Sequence, residues 1–164
     1  MRIRDAKEED LPRLLEIYNH YVEHTSITFD IECKTLGMRR GWFEDFDAAS
    51  RHRLLVIEDA GRVGGYASSR TFRARGAYDR SVETSIYLAA ETTSKGHGSA
   101  LYGHLLRELE SDDSVHRAYG GVTLPNEASV ALHQKMGFKQ VGIFSEVGFK
   151  FGRYWDVVWF ERAL

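Results

Sequence analysis

Apolar side chains recur along this chain with two periods, and the changes of period mark out its elements. Arg2 to Asp5 reads as a short first strand. Glu8-Glu9-Asp10 then puts acid where the positive end of a helix dipole favours it. Leu11, Leu14, Leu15, Tyr18 and Val22 follow at helical spacing. A second helix is predicted from about Thr35 to Phe46. Leu54-Leu55-Val56-Ile57 is a continuous apolar run and predicts a buried strand. Asp59-Ala60-Gly61-Arg62 is a hairpin turn into a third strand, Val63 to Arg70.

From Ser81 to Leu88 the pattern alternates strictly. Val82, Thr84, Ile86 and Leu88 face one way; Glu83, Ser85 and Tyr87 face the other. A glycine-bearing segment, Thr93 to Ser99, leads into a helix from Ser99 to Glu110, with Leu101, Leu105, Leu106 and Leu109 towards a core. Tyr119 to Leu124 is another strand. Pro125-Asn126 opens a further helix with Asn126 as N-cap, Ala128, Ala131, Leu132 and Met136 on its apolar side, and Gly137 at its end. Two last strands are predicted near Lys139 to Ser145 and Tyr154 to Arg162. The order gives a mixed α/β domain with mainly antiparallel strands at both ends. No repeat or linker interrupts it, so residues 1–164 are expected to form one domain.

Composition removes several classes of function. The 22 basic and 24 acidic side chains give a net charge of −2, which offers no global attraction to nucleic acid or to an anionic membrane. No apolar run approaches the roughly 20 residues of a membrane span, and Met1 to Asp5 carries no apolar signal region. A single cysteine, Cys33, excludes an internal disulfide framework and fits a reducing cytoplasm. No Cys/His cluster has ligand spacing, so no metal is expected.

The candidate chemistry sits in three places. Thr93-Ser94-Lys95-Gly96-His97-Gly98-Ser99 is a strand-to-helix turn whose backbone N–H groups and dipole suit an anion. Alone it is weak, because many such turns hold two glycines for geometric reasons, and no Walker-type Lys-Ser/Thr follows Gly98. Asn126, Ser129 and His133 form one polar stripe, read as lying opposite the apolar face of their helix; singly, they are an N-cap and a surface histidine. Glu83 is a strand carboxylate that beside arginines in a cleft would accept a proton, although most such residues merely face solvent. Tyr87 shares its face and reads better as a cross-strand packing residue. Arg70, Arg73, Arg75 and Arg80 precede that strand as either a solvated loop or a site for a small anion.

Taken in order, these features resemble the GNAT N-acetyltransferase superfamily. Its first motif, Gln/Arg-x-x-Gly-x-Gly/Ala, is met by Thr93 to Gly98 in both glycines but not in the leading residue. Its second, Asn-x-x-Ala/Ser-x-x-Leu-Tyr/His-x-x-x-Gly-Phe, is met by Asn126, Ser129, Leu132, His133, Gly137 and Phe138. Over nearly its whole length the chain is similar to the phosphinothricin N-acetyltransferase subfamily, which includes enzymes acting on methionine sulfoximine and methionine sulfone. The carrying segments include Ile17 to Tyr21, Thr25 to Phe29, Phe72 to Asp79, Val82 to Leu88, Leu124 to Asn126 and Val147 to Arg153.

The resemblance implies an α/β (α+β) GNAT fold, with a mixed, mostly antiparallel twisted sheet of about six to seven strands and about four helices. It implies acetyl-CoA as co-substrate, no metal, and transfer to the α-amino group of a small amino-acid analogue by direct attack. Glu83 would be the base and His133 a partner of the departing thiolate, as acid or as orienting group. Ser94, Lys95, Gly96, His97, Gly98 and Ser99 would seat the pyrophosphate, and Asn126 and Ser129 would line the cofactor arm. The family's fourth strand splays from its neighbour, which would free backbone groups near Ile86, Tyr87 and Leu88. Phe29, Phe72, Arg73, Arg75, Tyr78 and Phe149 would form the acceptor site, with Lys150 near its rim. A polyamine, aminoglycoside or protein N-terminus as acceptor, and a non-catalytic acyl-CoA-binding domain, are the competing readings. A homodimer is expected, with Tyr154, Trp155, Trp159 and Phe160 at an interface or in an ordinary core strand. Thr93 lacks the long donor that the family aims at the pyrophosphate. Thr93→Arg is therefore expected to lower the dissociation constant of CoA, measured by calorimetry; an unchanged constant would show that backbone N–H groups and Lys95 already suffice.

Overall fold

The computed structural model describes residues 1–92 and 96–164; Thr93, Ser94 and Lys95 lie outside the described residues. The elements follow as β1 (Arg2–Asp5), α1 (Leu11–His24), α2 (Leu36–Phe43), β2 (Leu54–Asp59), β3 (Arg62–Thr71), β4 (Ser81–Leu88), α3 (His97–Glu110), β5 (Arg117–Thr123), α4 (Glu127–Lys135), β6 (Lys139–Lys150) and β7 (Arg153–Ala163). Among the described residues the strands form one seven-stranded sheet in the order β1-β2-β3-β4-β5-β7-β6. Neighbours are antiparallel except β4 and β5, which run parallel.

Local chemistry accounts for the boundaries. The β2–β3 hairpin turns on Ala60 and Gly61, both at positive φ (50° and 77°), as a two-residue turn between twisted strands requires. Thr35 caps α2 by accepting a hydrogen bond from the Met38 N–H at 3.2 Å. Helix α3 starts two residues earlier than predicted, because Gly96 in the left-handed region serves as its N-cap. Asn126 caps α4, its Oδ1 accepting from the Ser129 N–H at 3.1 Å.

The sheet is covered on both faces. Alternation along β2 sends Leu55 and Ile57 into a core with Leu101, Tyr102, Leu105, Leu106 and Leu109 of α3, and Leu54 and Val56 into a second core with Leu11, Leu14 and Ile17 of α1. Strand β4 divides likewise: Val82, Ile86 and Leu88 pack with the first core, while Tyr87 packs with the second. Tyr87 stacks on Tyr66, its cross-strand partner, at 5.2 to 5.4 Å from three tyrosine rings, so the packing reading of that residue holds.

Helix α4 corrects the expected orientation of its polar stripe. Ala128 and Ala131 are exposed, whereas His133 is only 4% exposed. Its ring lies among Tyr102, Phe138 and Phe160, with centroids 5.2–5.3 Å apart. The stripe faces inward because an imidazole with both nitrogens bonded is a good aromatic filler. The C-terminal strand also divides: Phe160 is fully buried, whereas Tyr154 is exposed. The apolar surface lies instead on edge strand β6, where Val141, Ile143, Phe144, Val147 and Phe149 are all about half exposed.

Gly120 of β5 lies under His133. A Cβ there would stand 2.6 Å from Nε2 and 3.0 Å from Cδ2 of the ring. Gly120→Ala is therefore expected to displace His133 and to cost about 1–3 kcal/mol of stability. Urea denaturation measures this, and a loss below ~0.5 kcal/mol would show that the ring moves freely.

Candidate active site

Pairing between β4 and β5 lasts for three residues: Ser81↔Arg117, Val82↔Ala118 and Glu83↔Tyr119. Beyond that point a cavity of about 450 Å³ is bounded by Glu83 to Tyr87 on β4 and Gly121 to Thr123 on β5. Asn126, Ser129 and His133 reach it from α4, and Ile27, Thr28 and Phe29 from the segment after α1. Where the ladder would continue, side chains take over. The Thr84 hydroxyl lies 3.1 Å from the Tyr119 carbonyl and 2.7 Å from the Tyr102 hydroxyl. Tyr102 in turn lies 3.3 Å from His133 Nε2.

His133 has protein partners on both nitrogens. Nδ1 stands 2.8 Å from the Ser129 carbonyl, an acceptor only, so this nitrogen carries the proton. In the neutral ring Nε2 is then the acceptor, facing Tyr102. Burial pushes the imidazole below its usual pKa, against the pull of the Ser129 hydrogen bond.

A second cavity, of about 900 Å³, lies on the α1/α2 side of β4. The two cavities share Glu83, Ser85 and Tyr87. Glu83 is half-buried and has no hydrogen-bond or ion-pair partner among the described residues. Burial raises its carboxyl pKa, and the charges of Arg73 and Arg70 oppose that rise. The opposite wall carries Tyr18, Arg39 and Trp42, with Tyr66, Ser68 and Arg70 from β3.

The start of α3 is open. Among the described residues no side chain caps it, and its first turn holds no acid. A Cβ on Gly96 would meet nothing within 4 Å among the described residues. Lys135 of α4 reaches this end, its Nζ donating to Ser99 Oγ at 3.0 Å. The His97 ring is buried and turned away, with Nδ1 3.1 Å from the Thr92 carbonyl and Nε2 3.7 Å from Asp59. Ser94 and Lys95 lie outside the described residues.

The acceptor residues expected from the sequence are mostly elsewhere. Phe29 lines the first cavity. Phe72 stacks on Tyr119 and carries Tyr78 and the Arg73 guanidinium on its ring. Arg73 and Arg75 are exposed, and neither lines either of these two cavities. Phe149 points outward, 57% exposed, against Tyr154. Lys150 is not at a rim: it is 4% exposed and donates to the Thr28 carbonyl at 2.9 Å. The two differ because successive strand residues take opposite sides. The Leu88 carbonyl is not free either, since it accepts from the Tyr21 hydroxyl at 2.6 Å. Sequence reasoning missed Tyr18, Arg39, Trp42 and Tyr66; a tyrosine and arginine on predicted helices beside aromatic residues were the available signal.

Comparison with known proteins identifies the family. A family model described as acetyltransferase (GNAT) domain matches residues 3–159. A phosphinothricin N-acetyltransferase of Streptomyces coelicolor is 48% identical, covering 100% of this chain and 96% of that protein. A crystal structure of a GNAT superfamily phosphinothricin acetyltransferase from Sinorhizobium meliloti in complex with acetyl-CoA superposes with a TM-score of 0.93 at 30% identity, covering 99% of this chain and 88% of that one. A crystal structure titled ribosomal-protein-alanine N-acetyltransferase, from Brucella melitensis, has a TM-score of 0.94 at 36% identity and covers 100% of both chains.

Because the Glu83 carboxyl pKa is raised on folding, the folded chain holds that proton more tightly than the unfolded one. Its stabilising contribution is complete below the ordinary value of 4.5 and is lost as pH rises through the folded value. Glu83→Gln is therefore expected to melt higher than the parent at pH 7, with the gap closing below about pH 4. Equal melting temperatures at pH 7 would contradict this.

Proposed function

The chain belongs to the GNAT acetyltransferase family, and from that premise we propose that it acetylates the α-amino group of a small amino-acid analogue, such as phosphinothricin, methionine sulfoximine or methionine sulfone, by direct attack in a ternary complex. The observation that carries this reading is the meeting of two cavities on the Glu83-Ser85-Tyr87 face of β4. One is a slot between parted strands, walled by Asn126, Ser129 and His133 of α4. The other is a pocket of the size that takes small ligands.

Acetyl-CoA supplies the acyl group as a reactive thioester. The open start of α3, with Gly96, His97, Gly98 and Ser99, fits its pyrophosphate, with Lys135 adding charge. Past Glu83 the β4 backbone has no strand partner on the β5 side, so groups near Ile86 and Tyr87 are open to a pantetheine arm and an acyl carbonyl. Asn126 and Ser129 line the same slot.

An α-amino group has a pKa near 7.7–8.0 and is largely protonated at neutrality. Glu83, at the junction of the cavities and without a protein partner, accepts that proton, directly or through one water. Its raised pKa brings it closer to the amine it serves. As the amide forms, nitrogen sheds its second proton and the departing thiolate takes one up, so the balance needs no further acid. His133, bonded at both nitrogens, holds α4 and the slot wall in place in this reading. Copies of the chain pair through the exposed apolar face of β6, a hydrophobic edge that is a hazard if left uncovered. Among the described residues no helix is long and apolar enough to cross a membrane, and the lone, exposed Cys33 suits the cytoplasm. Acetylation of phosphinothricin there would give resistance to it.

Thiol release from acetyl-CoA tests the reading against phosphinothricin, methionine sulfoximine, methionine sulfone, ordinary amino acids, a polyamine and an alanine-terminated peptide. Turnover of the amino-acid analogues is expected; turnover of the polyamine or peptide alone would overturn it. Glu83→Gln is expected to lower kcat/KM by about 10²–10⁴ and to remove the acid limb of its pH profile.

A further inference from the structure

The acceptor cavity holds three carboxylates, Asp30, Asp45 and Glu83, and three side chains with permanent or near-permanent positive charge, Lys34, Arg39 and Arg70. Four of the six are paired within the protein. Lys34 bridges Asp30 at 3.1 Å, and Arg70 bridges Asp45 at 2.6 Å. Asp30 also accepts from the Tyr18 hydroxyl at 2.6 Å. Glu83 and Arg39 are left without an ion-pair partner among the described residues, and the cavity joins them.

Arg39 is 4% exposed, and its Nε and Nη2 have no hydrogen-bond partner. Its guanidinium lies 3.4 Å from the Trp42 ring centroid and 5.0 Å from those of Tyr18 and Tyr66. Ring faces stabilise the charge but cannot accept the in-plane N–H bonds. The Tyr66 hydroxyl is buried beside this cation and interacts with it, but outside hydrogen-bonding geometry, so Nε and Nη2 of Arg39 stay unmet. A buried cation with unmet donors is costly to fold around, and an acceptor-rich anion in the cavity removes that cost. The spacing suits a small ligand. Tyr87, stacked on Tyr66 beneath Arg39, lies four residues from Glu83 on the same strand face, or about 13 Å along the strand.

We infer that Arg39 is the specificity residue of the acceptor site, binding an oxyanion group of the substrate while Glu83 faces its ammonium. This rests on the acetyl-transfer reading and names what that site selects: a compact amine bearing an anion. The oxyanion has two sources in a molecule such as phosphinothricin, its α-carboxylate and its distal phosphinate.

Kinetics of the wild-type chain, Arg39→Gln and Arg39→Lys separate the cases, using phosphinothricin, its decarboxylated amine and norleucine, which lacks the phosphinate. Arg39→Gln is expected to raise KM for phosphinothricin about ten- to hundredfold with a smaller change in kcat, and Arg39→Lys to recover part of the loss. The penalty should vanish on the analogue that lacks the bound group, which identifies the source. An equal penalty on all three substrates would mean a structural role and overturn the inference, as would no penalty at all. CoA affinity and melting temperature of the variants report folding. Should both variants fail to fold, the wild type decides: equal kcat/KM for phosphinothricin and both analogues overturns the inference. A wild type that acetylates no amino-acid analogue sinks the acetyl-transfer reading itself, a result distinct from the others.

Discussion

The early end of the β4–β5 pairing is the constraint on which the rest of the structure depends. A sheet that stops pairing leaves backbone groups unmet, and buried ones are rarely tolerated. Here the loss is contained by side chains. Tyr102 donates to His133 Nε2 and accepts from the Thr84 hydroxyl, which lies 3.1 Å from the Tyr119 carbonyl, and the His133 ring settles over Gly120. This wedge holds the strands apart from the α3/α4 side. The open edge beyond it, the position of Asn126 and Ser129 at its wall, and the half-buried place of Glu83 at its lip accompany the same separation.

Strand alternation then assigns the chemistry to sides. A period of two puts Glu83, Ser85 and Tyr87 on one face of β4 and Thr84, Ile86 and Leu88 on the other. One short strand is thus a wall of both cavities, and a carboxylate at its centre is reachable from each. The aromatic cluster of Tyr18, Tyr21, Tyr66 and Tyr87 fixes the far end of that wall, and Tyr21 ties it down through the Leu88 carbonyl. A rigid wall matters for transfer between two bound molecules, because orientation supplies much of the rate.

What was legible in the sequence was what is local in it. The hairpin at Ala60-Gly61, the Thr35 and Asn126 ends of helices and the alternation of Ser81 to Leu88 depend on neighbours within a few residues. The two motifs are likewise short runs, and their order gave the family. The misreadings share a different cause. His133 was taken as polar and outward, but its burial depends on Tyr102, Phe138 and Phe160, which come from other elements. Phe149 and Lys150 are neighbours whose sides are set by β6, whose register against β7 shifts between Phe144 and Gly148. The cavity on the α1/α2 side is assembled from α1, α2, β3 and β4, so no single window of sequence contains it.

Two buried cations show why burial alone does not identify a site. Lys150 and Arg39 are equally enclosed, each 4% exposed. Lys150 donates to the Thr28 carbonyl and has the Asp30 charge nearby, so the fold itself accounts for it. It closes the segment after α1 against β6, and its lowered pKa reflects burial with that charge in opposition. Arg39 has aromatic rings for neighbours and no acceptor for two of its nitrogens. The first is a cation whose partners are protein; the second is a cation with two donors that no described residue meets. The same distinction separates Asp30 and Asp45 from Glu83, and it leaves one charge of each sign facing the cavity where a zwitterion would lie.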